Sequence, residues 1–258
     1  MTSPSPLDAA DLPDAVWRAD ALAAAPPAVQ PSGHAALDAQ LPGGGWPVGA
    51  LVEILQAHSA QNEWRLLLPA LARTRPGPVV LVGAPHPPFA PALAAQGLAA
   101  ERLLCIGAAT PASRLWACEQ ALRCAEVVAV LGWLPQVRVE QLRRLQIAAA
   151  EHAKLLFVMR PARAQAESSP AVLRVQASVQ PDSDLLQVDV LKRRGPPCAQ
   201  PLRLPARMGR LSALLARPAR AVRPMPGPAP VPAGTTPPPV PLIPGIPSHA
   251  LDRVAGGT

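Results

Sequence analysis

The residues best placed to do chemistry lie between a continuous apolar run, Leu51 to Leu55, and a helix-patterned stretch, Asn62 to Arg73. Gln56, Ala57, His58, Ser59, Ala60, Gln61, Asn62 and Glu63 fill the gap, where a nucleotide-binding α/β protein carries its phosphate loop. That loop has strict requirements. Glycines at both ends let backbone N–H groups close round phosphate oxygens, a lysine neutralises the charge, and a serine or threonine hydroxyl holds magnesium. None of the four is met. Asn62 stands in the lysine position and Glu63 in the hydroxyl position, so a carboxylate faces the place of a triphosphate. Gln56, Gln61, Asn62 and Glu63 therefore read as a degenerate phosphate loop, with no bound nucleotide expected.

Other residue types narrow the chemistry further. Cys105, Cys118, Cys124 and Cys198 form no CxxC pair, so the expectation is reduced core thiols in a cytoplasmic protein, with no metal site. His86 lies among prolines with no acid or nucleophile nearby in sequence, which is the setting of a loop residue rather than a general base. Asp182 and Asp184, in PDSD, read as turn formers between two alternating strands. Lys192, Arg193 and Arg194 close the second of those strands. They suit a partner protein or a DNA phosphate, or else a solvated strand end.

The elements that must position these groups follow from periodicity. A short helix is expected over Ala36 to Gln40, a turn over Pro42 to Gly45, and strands over Leu51 to Leu55, Val79 to Val82, Leu103 to Ile106, Val127 to Leu131 and Leu155 to Met159. Helices are expected over Asn62 to Arg73, from about Ala90 to Gln96, through Leu115, Cys118 and Leu122, and over Val139 to Glu151. Trp116 and Trp133 read as core or sheet-edge residues. Pro161 to Pro170 reads as a polar, mobile segment, and Val172 to Val179 with Leu185 to Leu191 as a β-hairpin on the sheet edge.

The chain has 258 residues, enough for one core of roughly 150 to 200 residues plus appendages. Three regions are expected: 1–32, an N-terminal docking helix and linker; 33–205, the folded domain; and 206–258, a basic and then proline-rich disordered tail. The first contains an amphipathic candidate, Ala10 to Ala24, with Leu12, Val16, Trp17 and Leu22 on one face. It would dock on a partner or fold back on its own core. The tail holds 12 of the 36 prolines in its last 41 residues, too little apolar and too much proline content for a packed core.

Net charge is +7 and unevenly spread. Nine cations, from Lys192 through Arg203, Arg207 and Arg210 to Arg223, lie between Val190 and Leu251 with no acid among them. The rest of the chain is near neutral. The first thirty residues carry Asp8, Asp11 and Asp14 and lack the basic start and apolar run of a secretory signal. No apolar run is long enough to cross a bilayer, and no membrane contact is expected.

The segment LDAQLPGGGWPVGALVEIL, Leu37 to Leu55, resembles the lead into the phosphate loop of RecA recombinases, whose pattern is LD, several residues, then GGLPxGxxxEI. With the degenerate loop behind it and VDVLKRRGPP near the C-terminal edge, the chain is similar to the ImuA family, RecA-like accessory proteins of bacterial translesion synthesis. The resemblance covers roughly residues 12 to 205. It implies an α/β fold with a RecA-like core: a mainly parallel central sheet flanked by helices, with a C-terminal β-hairpin on its edge.

It also implies which positions to inspect. Pro85 stands where a RecA-like ATPase has its catalytic glutamate, and Leu131 where the Walker B aspartate would order magnesium. Neither can do that work, so the expectation is no catalytic residue, no cofactor and no enzyme activity. Arg160 falls where RecA has its phosphate-sensing glutamine, and Lys192 and Arg194 where RecA has two lysines that reach a neighbour's ATP. The work implied is assembly in SOS-induced mutagenesis, with ImuB, the error-prone polymerase complex or RecA as partners, and DNA along the basic edge. Contact candidates are Trp17, Arg160, Lys192, Arg193, Arg194, Arg203, Arg207 and Arg210. The alternatives are a SulA-like cell-division inhibitor that binds the division GTPase, and an ATPase with an unorthodox site.

Overall fold

The apolar runs of the inner strands, which lack alternation, are buried on both faces. All seven residues of Ala50–Gln56 and all four of Val79–Val82 are buried, the mark of a parallel sheet covered by helices on each side. The structure is a computed structural model that describes residues 28–58, 62–179, 185–198 and 200–205. In chain order these form β1 (Val29–Gln30), α1 (Ala35–Asp38), β2 (Trp46–Pro47), β3 (Ala50–Gln56), α2 (Glu63–Leu71), β4 (Val79–Val82), α3 (Ala90–Ala94) and β5 (Leu103–Ile106). There follow α4 (Pro111–Arg123), β6 (Ala129–Trp133), α5 (Val139–Glu151), β7 (Leu155–Pro161), β8 (Leu173–Val179), β9 (Leu185–Lys192) and β10 (Leu202–Pro205).

The main sheet has eight strands in the order β10-β9-β8-β3-β7-β6-β4-β5, and β1 pairs with β2 in a separate two-stranded ribbon. From β8 to β5 every neighbouring pair is parallel. β9 runs antiparallel to β8, and β10 antiparallel to β9. The protein is thus α/β with a mostly parallel central sheet flanked by helices, compatible with a RecA-like core. The residues between β8 and β9, Asp182 and Asp184 among them, lie outside the described residues. β10, which no sequence pattern announced, forms the outer edge beyond β9.

Alternation along the strands sends side chains to two separate cores. Val52 and Ile54 of β3 join Leu66, Leu67, Leu68 and Leu71 of α2, Leu93 of α3 and Leu37 of α1. Leu51 of the same strand joins Cys118 and Leu122 of α4 and Leu142 and Leu145 of α5 on the other face. Pro69 lies inside α2, where an interior proline costs ~3 kcal/mol. The four buried leucines, at about 1.5–3 kcal/mol each, outweigh it. Trp46 and Phe157 meet edge to face in this core, with centroids 5.5 Å apart.

Several expectations need correction. β6 ends at Trp133 and Leu131 lies in mid-strand, paired with Leu81 and Phe157, so Leu131 is not the residue at the strand's tip. Trp116 is 65% exposed on α4 and belongs to neither core. Of the four cysteines only Cys118 is buried, and burial pushes its thiol pKa up to about 12. Pro161 to Pro170 contains a 3-10 turn, Ala162–Ala166, with Ala164 fully buried. Among the described residues no helix is long and apolar enough to cross a membrane.

Candidate functional site

The C-terminal ends of parallel strands, where open α/β sheets collect their ligands, bring together Gln56 of β3, Trp133 of β6, and the start of α2. Asn62 caps α2 and Glu63 is its first residue. Glu63 is fully buried, and its carboxylate is held from three directions. Trp133 Nε1 donates to Oε1 at 2.9 Å, while Gln56 Nε2 and the Asn62 backbone N–H each donate to Oε2 at 3.0 Å. Asn62 Nδ2 donates across to Ala177 O of β8 at 3.3 Å. A carboxylate at a helix N-terminus is favoured by the helix dipole, so the position that attracts a phosphate in other folds is held here by a side chain of the same chain.

The spare hydrogen-bonding capacity has the wrong sign for an anion. Gln56 Oε1 and Asn62 Oδ1 are buried acceptors without a partner. A phosphate would need donors in their place. Beside Glu63 opens a recess of about 160 Å³ lined by Trp64, Pro85, His86, Phe89 and Trp133. Pro85 and His86 therefore do reach the site, on the loop after β4, but Pro85 has no acid or base to offer. Among the described residues no group of His, Cys, Asp and Glu could hold a metal ion. Gln61 lies outside the described residues.

The basic cluster lies at the opposite end of the sheet. β9 is antiparallel, so its C-terminal end sits beside the start of β8, with Lys192 across from Arg174. Lys192 Nζ donates to Ser169 O at 2.9 Å, and Arg194 is exposed. Arg193 is half-buried: Nε donates to Pro196 O at 2.6 Å, and Nη1 to the backbone oxygen of Gln40 and, at 3.3 Å, to its Oε1. Arg203 stands apart from this cluster: it is exposed on the edge strand β10 opposite Gln187, level with Ser178 near the C-terminal end of β8. Trp17, Arg207 and Arg210 lie outside the described residues.

Arg160 is placed differently. Its side chain is 1% exposed and lies between Glu53 Oε1 at 3.0 Å and Glu167 Oε2 at 2.6 Å. Glu53, wholly buried in mid-strand, also accepts from Arg174 Nε at 2.7 Å. Arg174 in turn donates to the backbone oxygens of Ala164, Gln165 and Glu167, clamping the 3-10 turn to the sheet. A guanidinium committed in this way presents nothing to a partner. An acid inside the run ALVEILQ, with arginines inside two other strand patterns, was the sequence signal for this network. Trp133 had no such signal, because its role depends on the last residue of β6 meeting the first of α2. No protein-family model matches this chain, and no curated protein matches it.

Proposed function

We propose that this chain is a catalytically silent RecA-like accessory protein of SOS-induced translesion synthesis, of the ImuA type. It would act in the cytoplasm by contacts with ImuB, the error-prone polymerase complex or RecA. The observation that carries the silent half of this reading is the Glu63 carboxylate, locked by Trp133, Gln56 and its own cap at the place of the phosphate loop. A triphosphate there would meet a buried negative charge and two acceptor oxygens. Pro85, on the loop after β4, and Trp133, at the tip of neighbouring β6, supply neither a water-polarising acid nor a magnesium ligand.

The pathway rests on the resemblance of Leu37 to Leu55 and of VDVLKRRGPP to the ImuA pattern, and the parallel sheet is compatible with it. Binding, rather than turnover, is then the work left to the fold. The exposed cations Lys192 and Arg194 at the C-terminal end of β9 supply a surface for an acidic partner or for DNA, with Arg203 further along the sheet edge opposite Gln187. The test is a pull-down of the full chain against purified ImuB, RecA and the division GTPase. Retention of ImuB or RecA is expected. Retention of the division GTPase alone would replace this reading with the SulA-like one.

A further inference from the structure

A cavity of about 270 Å³ opens at the end of the sheet opposite Glu63, where β3 and β8 begin. Val48, Ala150, Val172 and Leu173 form apolar walls, and Arg193 and Arg194 stand at its side. The other polar lining group, Gln146, is already committed: its Oε1 accepts from Leu51 N–H at 2.7 Å and its Nε2 donates to Gly49 O at 3.3 Å. The floor therefore offers no unmet donor or acceptor from Gln146, only apolar surface.

The volume falls just below the roughly 300–1,000 Å³ of small-molecule pockets. It suits one large apolar side chain. Charge sets what should flank that side chain. Lys192 and Arg193 donate to neutral oxygens, and among the described residues neither these two nor Arg194 is in an ion pair. Three consecutive cations without a carboxylate favour an anionic partner segment. A bare polyanion would use the arginines and leave the apolar walls uncovered.

We infer that this cavity is a docking site for an acidic peptide segment of a partner protein, with one leucine or phenylalanine entering the cavity and carboxylates on Arg193 and Arg194. The inference rests on the reading of this chain as a binding module and names the chemistry of what it binds. Arg193, fixed to Gln40 and Pro196, is already oriented, so its ordering cost on binding is small. Arg194 is exposed and adds charge at the rim.

The test is fluorescence anisotropy on the full chain with three labelled ten-residue peptides. One is Asp/Glu-rich with a central Leu-Phe pair, one has serines in place of that pair, and one has lysines in place of the acids. Only the first should bind, and Ala150→Phe, which fills the cavity from an exposed helix position, should weaken it at least tenfold, as should Arg194→Glu. Equal binding of the serine peptide would overturn the proposal in favour of a general polyanion surface. So would binding indifferent to both variants. Binding seen only after Trp17→Ser would make the chain's own acidic N-terminal segment the occupant, and would likewise overturn it. Failure of all three peptides, with ImuB still retained in the pull-down, would remove this cavity as the docking site and leave the accessory reading standing. Loss of ImuB and RecA retention with intact peptide binding would do the reverse.

Discussion

Replacing Glu63 by glutamine keeps the length of the side chain but turns one acceptor oxygen into a donor, which must then face either Trp133 Nε1 or the Gln56 and Asn62 N–H groups. At least one buried donor loses its partner whichever way the amide turns. A loss of about 1–3 kcal/mol is expected, read as a lower urea midpoint at unchanged slope; an unchanged midpoint would mean that the carboxylate is not held as described. Glu53 has more at stake, since both Arg160 and Arg174 point their charges at it inside the sheet. Glu53→Gln should cost roughly 3–5 kcal/mol, the range for breaking a buried pair by removing one partner.

His34 adds a dependence on pH. Burial holds its pKa below the usual 6.5, against weaker opposing effects from the backbone of Arg65 and Leu66 and from Asp38. The unfolded chain therefore takes up the proton first. Its contribution is complete above pH about 6.5 and is lost as pH falls from there towards the lower folded value, below which the loss levels off. Unfolding midpoints measured from pH 7.5 down to 5 should fall more steeply for the parent protein than for His34→Gln.

At the level of elements, the run Gly43, Gly44 and Gly45 shows why three glycines stand together. Gly43 and Gly44 both have φ +81°, which ordinary side chains resist. Gly45 is constrained by proximity: a Cβ there would lie 2.5 Å from Gln30 O, where β1 pairs with β2. Gly44 has open space around it. Gly45→Ala should accordingly destabilise more than Gly44→Ala, since backbone must move in the first and only local φ strain of about 1–2 kcal/mol arises in the second. Thermal melts of the two variants compare them directly, and the reverse order would contradict the pairing.

Much of the fold was legible because buried parallel strands leave an unmistakable run of aliphatic residues. Val79–Val82 falls where its apolar run put it, as do the helix Val139–Glu151 and the strand Leu103–Ile106, although the latter is an edge strand with Leu104 exposed. Strand ends were less legible. VVAVLGW is apolar throughout, so nothing in it fixes whether Leu131 or Trp133 ends β6, and that two-residue shift separates a core residue from the one that binds Glu63. Short β10 was hidden for a different reason: LRLP has only one fully buried side chain, Leu204, and gains its place from pairing with β9. Arg160 stands among the contact candidates in sequence because nothing local marks its burial: its neutralising acid, Glu53, is 107 residues away.

Over the whole molecule the sheet has two poles of opposite character. The strand tips carry a buried carboxylate under an aromatic and proline-lined recess, and the strand starts carry an apolar cavity beside cations that form no ion pair among the described residues. The first pole resists the anion that such folds ordinarily receive, and the second invites one attached to a hydrophobic anchor. Both properties suit a scaffold that works by association. The most direct measurement is calorimetric titration of the full chain with magnesium ATP to millimolar concentration. No saturable heat is expected from the parent protein, because Glu63 and its three donors already fill the helix start. Saturable binding that Glu63→Gln alters would contradict this and return the chain to the nucleotide-dependent proteins.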